Sequence, residues 1–198
     1  MTQMNRRFFI GTGIAALAAP PVLAHTKKST YVLPPEFMPR EVKIQNDFPA
    51  GEIHVDPNSF ALYWTLPDRR AIRYSVGVGR AGLYHSGEFY VGAKRKWPTW
   101  TPTPDMIKRD PKSYARFAKG VPGGINNPLG ARALYLYTPE RGDTYLRIHG
   151  TNAPQTIGRA VSNGCARLVN DQVAELYDRV PLQTRVVLHP KNGASIQS

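Results

Sequence analysis

The chain has 198 residues, enough for one domain with a hydrophobic core, and its 18 prolines, 17 glycines and 10 tyrosines argue against a helical bundle. Its formal net charge of +12 favours a polyanionic partner such as nucleic acid or a carboxylate-rich cell wall. No recognition-helix, RRM or zinc-finger pattern accompanies the charge, so we expect no nucleic-acid partner.

The amino terminus has the features of an export signal. Arg6 and Arg7 form a twin-arginine pair, an apolar run follows, and small residues before His25 provide a cleavage site. The run is shorter than a comfortable membrane span. We therefore expect residues 1–24 to direct export to the periplasm and to be removed, leaving no stable membrane anchor. A buried N-terminal helix is the alternative.

Residues 25–50 are rich in proline and have no hydrophobic periodicity. Pro34, Pro35 and Pro39 disfavour helix, so an extended arm or linker is predicted here. The folded domain is expected to begin at about Gly51.

Three short strands with intervening turns follow the arm. Runs of β-forming residues at 52–55, 60–64 and 71–76 are separated by Asp-Pro-Asn and Leu-Pro-Asp turns, a spacing typical of antiparallel hairpins. Residues 77–82 then match the dinucleotide-binding pattern G-x-G-x-x-G, which requires a helix to begin there. Another strand-like run at 88–91 follows instead, so a glycine-rich strand connection is predicted.

Residues 94–127 differ in character from the strands around them. They contain a Lys-Arg-Lys run, two tryptophans, several prolines and a Gly-Gly pair. Thr103 and Pro104 are predicted to begin a helical turn, and residues 113–119 to form a second one before Gly120. This composition is compatible with a solvated basic loop whose tryptophans pack on the sheet.

The remaining elements complete the sheet and add one helix. Strands are predicted at 133–137, 145–148 and 184–188. Asn170 is predicted to cap a helix that ends before a proline. The apolar face of that helix consists of Val173, Leu176, Tyr177 and Val180. The sequence thus predicts a mainly β, β-sandwich-like domain with one packed helix, followed by a polar tail at 191–198.

The one cysteine of the chain, Cys165, lies 16 residues after His149, and small or polar residues fill the interval. A free cysteine has a pKa of about 8.5, so it needs a nearby base to act as a nucleophile near neutral pH. A loop that returns to His149 would supply that base, and Gly164 would let the backbone approach a developing oxyanion. The polar, electropositive setting, which includes Ser162 and Arg167, favours a reactive thiol over a buried apolar one.

Three blocks around these residues form one pattern: His149-Gly150-Thr151, Ile157-Gly158 and Ser162-Asn163-Gly164-Cys165-Ala166-Arg167-Leu168. Together they resemble the active-site signature of the L,D-transpeptidase (YkuD) family. The resemblance extends from about Gly51 to about His189. Asn163 departs from it, because the family usually has a histidine there, although that histidine is not the general base.

The resemblance implies a catalytic domain at 51–190, with a lid-like insertion at 94–127 that overhangs the substrate cleft. It implies a cysteine acyltransferase without cofactor or metal, in which Cys165 is the nucleophile and His149 the general base. The substrate would be peptidoglycan stem peptides. The acyl group would pass to an amine of a second stem, giving a 3–3 cross-link, or to a lysine of an outer-membrane protein. Substrate-binding or oxyanion roles are implied for Gly150, Ser162, Asn163, Gly164 and Arg167.

Several alternatives stay open from the sequence. Water as acceptor would make the protein an L,D-carboxypeptidase of the same family. The positive charge, together with Asn163, also fits a non-catalytic wall-binding module. A zinc hydrolase would need ligand pairs at metal-site spacing, which the histidines and Cys165 do not form. Arg167 would either bind substrate carboxylates or stabilise the loop. His149 would be oriented by a backbone carbonyl near Gly150.

Overall fold

The computed structural model describes residues 31–197, so the predicted signal peptide at 1–24 lies outside the described residues. The strands are β1 (Arg40–Lys43), β2 (Ile53–Asp56), β3 (Ala61–Leu66), β4 (Arg70–Ser75), β5 (Val78–Gly79), β6 (Gly87–Lys96), β7 (Arg132–Thr138), β8 (Gly142–His149), β9 (Ala160–Ser162), β10 (Ala166–Arg167) and β11 (Arg185–Leu188). The α-helices are α1 (Pro104–Arg109), α2 (Pro111–Tyr114) and α3 (Asn170–Arg179). Within this range, no helix has the length and apolar character needed to cross a bilayer.

Nine strands form one sheet in the order β1-β4-β3-β2-β11-β6-β7-β8-β10, and β5 pairs with β9 separately. The predicted antiparallel hairpins β2–β3 and β3–β4 are confirmed. The large sheet is nevertheless mixed, because β11 runs parallel to β2 and β10 runs parallel to β8. The prediction of a mainly β fold is confirmed.

Residues from distant strands of this sheet share one hydrophobic core. Leu62 and Tyr74 of β3 and β4 lie in the same buried cluster as Leu134 and Ile148 of β7 and β8. Strands so far apart in the strand order share a core when the sheet curls until its inner faces oppose each other, which is a sandwich-like arrangement.

Helix α3 covers part of this core. Its buried apolar face consists of Val173 and Leu176, with Val180 directly after the helix and Tyr177 half-buried beside them. Lys94 of β6 reaches the end of the helix, where its Nζ donates to the carbonyls of Tyr177 at 2.6 Å and Val180 at 2.5 Å. The helix is thereby joined to the sheet at its carboxyl end as well as along its face.

The prediction that Asn170 caps α3 is wrong. Val169 holds the N-cap position, and Asn170 is the first residue of the helix. Its Oδ1 instead accepts hydrogen bonds from the backbone N–H groups of Ala131 at 2.9 Å and Thr151 at 3.3 Å. The side-chain oxygen that was predicted to cap the helix therefore binds two loop N–H groups instead. These two bonds connect α3 to the residue before β7 and to the segment after β8.

Parts of the predicted arm and tail lie along the edge of the sheet. Strand β1 pairs with β4, and Ile44 just after it is buried in a second apolar cluster with Tyr63 and Ile196. The N–H of Gln45 donates to the carbonyl of Ile196 at 2.9 Å. Residues near both ends of the described range therefore contact each other across the same edge.

The insertion at 94–127 contains the two short helices. As predicted, Thr103 caps α1, and its Oγ1 accepts a backbone N–H of the first turn at 3.2 Å. The second turn begins at Pro111, earlier than predicted, because the carboxylate of Asp110 accepts the N–H of Ser113 at 3.1 Å and caps α2.

Contacts within the insertion hold it together as a unit. The Nδ2 of buried Asn127 lies 2.8 to 3.1 Å from three backbone carbonyl oxygens of the insertion. Trp100 and Val121 pair through their backbones. The ring of Trp100 also packs edge-on against Tyr114 and Phe117.

The G-x-G-x-x-G segment at 77–82 is a strand connection, as predicted, and contains β5. A Cβ at Gly79 would lie 3.0 Å from the Cα of Gly164. Glycine at this position therefore allows the connection to lie directly against the loop that carries the cysteine.

Candidate active site

Strand β8 delivers His149 to the interior of the domain, where the residue is only 5% exposed. Its Nδ1 lies 2.6 Å from the carbonyl oxygen of Gly150 and donates to it. That bond fixes the tautomer and leaves Nε2 free to accept a proton. Burial, aided by the positive charges of Arg167 and Arg147, lowers the pKa of His149 to about 3, so the imidazole is neutral at physiological pH.

Strands β9 and β10 hold Cys165 on a short loop between them. The hydroxyl of Ser162 accepts the N–H of Gly164 at 3.2 Å and donates to the carbonyl of Cys165 at 2.7 Å. Gly164 has a φ of 121°, which favours glycine, and a Cβ there would lie 2.9 Å from the carbonyl oxygen of Leu83. Ser162 and Gly164 therefore shape the loop that presents the sulfur.

Parallel pairing of β8 and β10 places the segments that carry the two predicted catalytic residues side by side. Arg167 lies opposite His149 in this register. Cys165, two residues earlier, is therefore about level with Arg147. Because side chains alternate along a strand, those of Arg147 and His149 in β8 are directed to one face, which Arg167 of β10 shares. Cys165, on the loop that leads into β10, therefore lies beside the end of β8 that carries His149.

The thiol of Cys165 is half-buried, and its Sγ lies 3.9 Å from the carbonyl oxygen of Tyr145. Burial raises the pKa of Cys165, an effect opposed by the backbone N–H of Arg147 and by the charges of Arg147 and Arg167. The resting site therefore pairs a neutral thiol with a neutral imidazole. In such a site the proton leaves the sulfur during attack on the substrate rather than before it.

The backbone of Arg167 is held by hydrogen bonds, whereas its guanidinium has N–H groups without a partner among the described residues. Its backbone exchanges hydrogen bonds of 2.8 and 2.9 Å with Gly77. Within residues 31–197, the buried Nε and Nη2 atoms of its guanidinium have no hydrogen-bond partner. Burial lowers the pKa of Arg167, but a guanidinium stays protonated in proteins. A buried charge without a partner is costly, so this side chain is suited to receive an anion.

Asn163 joins the cysteine loop to the insertion. Its Oδ1 accepts a hydrogen bond from Nη2 of Arg109 at 2.9 Å, and its Nδ2 donates to the hydroxyl of Tyr114 at 2.9 Å. Arg109 is the last residue of α1 and Tyr114 the last of α2. Both short helices of the insertion therefore lie against the loop that carries Cys165.

The backbone N–H groups of Gly150 and Gly164 are both used within the protein. Gly150 donates to the carbonyl of Arg132 at 3.0 Å, and Gly164 donates to Ser162 as described. An oxyanion role for either N–H would require its present bond to break. Gly150 is needed for space instead, because a Cβ there would lie 2.3 Å from Oδ1 of Asn170.

Four residues that the sequence analysis did not select also lie around the site: Arg109, Tyr114, Arg147 and Tyr145. Arg147 is held by two hydrogen bonds of 2.6 and 2.8 Å to the carboxylate of Asp143. Tyr145 has a φ of 62°, rare for a tyrosine, in the residue whose carbonyl faces the thiol. Alternation with His149 in one strand could have indicated Arg147. No local pattern indicates the other three.

The described residues contain no group of three or more His, Cys, Asp or Glu side chains that could hold a metal ion. His54 and His189 do meet, with 3.0 Å between Nδ1 and Nε2, and Glu52 contacts the other nitrogen of His54 at 3.1 Å. These three groups form a hydrogen-bonded chain that does not include Cys165.

The sequence profile described as the L,D-transpeptidase catalytic domain (YkuD) matches residues 50–188. A protein of Escherichia coli K12 named probable L,D-transpeptidase ErfK/SrfK is 39% identical over 137 residues, which cover 68% of this chain and 42% of that protein. A second E. coli K12 protein, named probable L,D-transpeptidase YcfS, is 35% identical over 144 residues, or 71% of this chain and 44% of that protein.

Two solved structures have similar folds. One, titled a probable carnitine operon oxidoreductase from Brucella melitensis, has a TM-score of 0.54 at 46% identity, over 79% of this chain and 96% of that one. L,D-transpeptidase 3 from Mycobacterium tuberculosis, in complex with a faropenem-derived adduct, has a TM-score of 0.53 at 15% identity, over 72% of this chain and 61% of that one. The second similarity concerns the fold alone.

The chain spans less than half the length of the two E. coli relatives that it matches. The matched region nevertheless covers most of this chain and includes both His149 and Cys165. The fold is mainly β and pairs β8 with β10. Together with this fold, the match shows that the chain belongs to the family of L,D-transpeptidase (YkuD) catalytic domains.

Proposed function

We propose that the protein is a peptidoglycan L,D-transpeptidase that works through a cysteine acyl-enzyme. The observation that carries the proposal is the parallel register of β8 and β10, in which Arg167, two residues after Cys165, lies opposite His149. The carbonyl of Gly150 orients the imidazole for proton transfer. Family membership supports the same chemistry.

In the acylation step, Sγ of Cys165 attacks the carbonyl that follows the L-centre of diaminopimelate in a stem peptide. Nε2 of His149 takes the thiol proton, the C–N bond to the terminal D-Ala breaks, and the proton passes to the leaving amine. The product is a thioester on Cys165. The N–H of Cys165 itself is the candidate donor to the oxyanion, and Arg167 is the candidate partner of a substrate carboxylate.

In the transfer step, an amine of a second stem attacks the thioester. His149 accepts the amine proton and returns it to the sulfur as the C–S bond breaks. An amide forms, the thiol is regenerated, and the two stems are joined by a 3–3 cross-link. A lysine of an outer-membrane protein is a second candidate acceptor, because it presents the same nucleophile.

We further propose that the twin-arginine segment exports the chain to the periplasm, where peptidoglycan is accessible. The support is the Arg6-Arg7 pair and the apolar run after it. A fusion of residues 1–24 to a folded reporter tests this, with the double change Arg6→Lys and Arg7→Lys as control. Equal export of both fusions would contradict it.

Intact-mass spectrometry tests the proposed activity directly. We expect a stem tetrapeptide to add an acyl tripeptide to the wild-type protein and to leave the Cys165→Ala variant unchanged. A cross-linked dimer after addition of a second stem supports transpeptidation. Free tripeptide alone would identify water as the acceptor and a carboxypeptidase. Absence of any adduct would favour a non-catalytic wall-binding module.

A further inference from the structure

The insertion brings an arginine without a carboxylate partner to the edge of the cysteine loop. Arg109 is exposed at the end of α1 and donates one N–H to Asn163, a neutral amide. The adjacent carboxylate, Asp110, accepts the N–H of Ser113 and caps α2. Hydrogen bonds to Ser113 are the main cause that lowers the pKa of this carboxylate, and the charge of Arg109, acting from a distance, is one of several lesser causes. Within residues 31–197, however, Arg109 forms no ion pair.

Arg109 is also held in position. One of its five N–H groups is bound by Asn163, which is fixed in turn by the hydroxyl of Tyr114. Tyr114 packs edge-on against Trp100, within the contacts that hold the insertion together. A guanidinium anchored by one N–H keeps the rest of its planar fork free to bind a carboxylate, with little further loss of side-chain freedom.

The position of Arg109 sets how far its ligand lies from the sulfur. Asn163 precedes Cys165 by two residues, a span of at most about 7 Å of backbone. A group bound by Arg109 therefore lies within a few residues of the carbonyl attacked by Cys165, on the same substrate peptide. The insertion as a whole carries eight Lys and Arg against two Asp, so its field also favours an anion.

From these observations we propose that Arg109 is a specificity-determining residue that binds a non-scissile carboxylate of the stem peptide. The proposal rests on the proposed function and adds a subsite to it. Arg167 is buried beside the nucleophile, whereas Arg109 belongs to the insertion and reads a different part of the peptide. The hydrogen bond from Arg109 to Asn163 positions the guanidinium.

The test compares two stem tetrapeptides, one with free carboxylates and one with its non-scissile carboxyl groups converted to primary amides. For the wild type, we expect kcat/KM of acylation to be at least about tenfold higher for the free acid, the effect of one charge-assisted hydrogen bond. Arg109→Gln can still donate to Asn163 but has no charge, so we expect it to reduce this preference through KM to the part that Arg167 contributes. Arg109→Lys keeps the charge and is expected to retain part of the preference.

Arg116→Gln is the matched control. Arg116 is an exposed arginine of the same insertion whose guanidinium lies 4.6 Å from the ring centre of Phe117, and it does not contact Asn163. We expect it to keep the wild-type preference. Equal losses with both peptides in Arg109→Gln would overturn the proposal, because they would indicate a purely structural role, and so would an unchanged preference.

The outcome can be separated from failure of the proposed function. If the wild type were acylated by neither peptide, the proposed function would be wrong. Calorimetric binding of both peptides to the Cys165→Ala protein would still decide the role of Arg109. A preference for the free acid that becomes smaller in the Arg109→Gln background supports the subsite, and a preference of the same size in both backgrounds would overturn it.

Discussion

At the scale of single residues, the site operates with uncharged groups. Burial keeps the imidazole of His149 unprotonated and keeps the thiol of Cys165 protonated near neutral pH. Two neutral groups do not attract each other as an ion pair would. Their alignment depends on the bond from Nδ1 to Gly150 and on the loop shaped by Ser162.

His149→Ala is expected to lower the acylation rate at least about 10²-fold, the usual contribution of a positioned general base. Stopped-flow measurement of thioester formation between pH 6 and 9 tests this, with a circular dichroism melt to check the fold. An unchanged rate across that range in a folded variant would remove His149 from the mechanism.

Asn163→His is expected to leave the protein active and to add a pH dependence that the wild type lacks. A neutral histidine can accept from Arg109, whereas a protonated one cannot and repels the guanidinium. Because an ordinary histidine titrates near pH 6.5, acylation should fall below about that pH in the variant. Coincident pH profiles of wild type and variant would indicate that residue 163 does not titrate against Arg109.

At the scale of elements, local sequence patterns predicted the strands and helices but not every pairing between strands. The hairpins of β2, β3 and β4 were predictable because short turns fix which strands meet. The parallel pair β2–β11 was not, since its two strands are distant in sequence. The same limit applies to the site: the family pattern selected His149 and Cys165, whereas the Arg109–Asn163 contact joins residues 54 positions apart.

Lys94→Met is expected to destabilise the domain by about 1 to 2 kcal/mol, because two carbonyls at the end of α3 lose a charged donor. The control is Lys96→Met, an exposed lysine two residues further along β6, which should change stability by less than about 0.5 kcal/mol. Urea unfolding measures both. Similar losses in the two variants would show that the helix end does not depend on Lys94.

At the scale of the whole molecule, buried histidines couple the fold to pH. Burial lowers the pKa values of His54, His149 and His189 below the ordinary 6.5. Unfolding therefore takes up protons at these positions once the pH falls below about 6.5. Stability is fully present above that value and declines toward the folded pKa, which is about 3 for His149.

We expect the free energy of unfolding to fall by up to about 1.4 kcal/mol per pH unit for each such histidine as the pH drops from 6.5. Urea titrations between pH 8 and 4 measure this slope, which His54→Gln should reduce. His85 is exposed, so His85→Gln should leave the slope as it is in the wild type. A wild-type stability that stays flat from pH 7 to 5 would contradict the expectation.

The strand order also has a consequence for the timing of folding. β11, formed by residues 185–188, lies between β2 and β6 in the middle of the large sheet. During synthesis the amino-terminal hairpins and the β6–β8 meander can each form early, but they cannot be joined until this late segment has left the ribosome. Assembly of the sheet therefore waits for residues 185–188 and is governed by long-range contacts, which fold slowly. Ribosome-bound chains that end before residue 185 should remain sensitive to protease, and chains that expose β11 should become resistant.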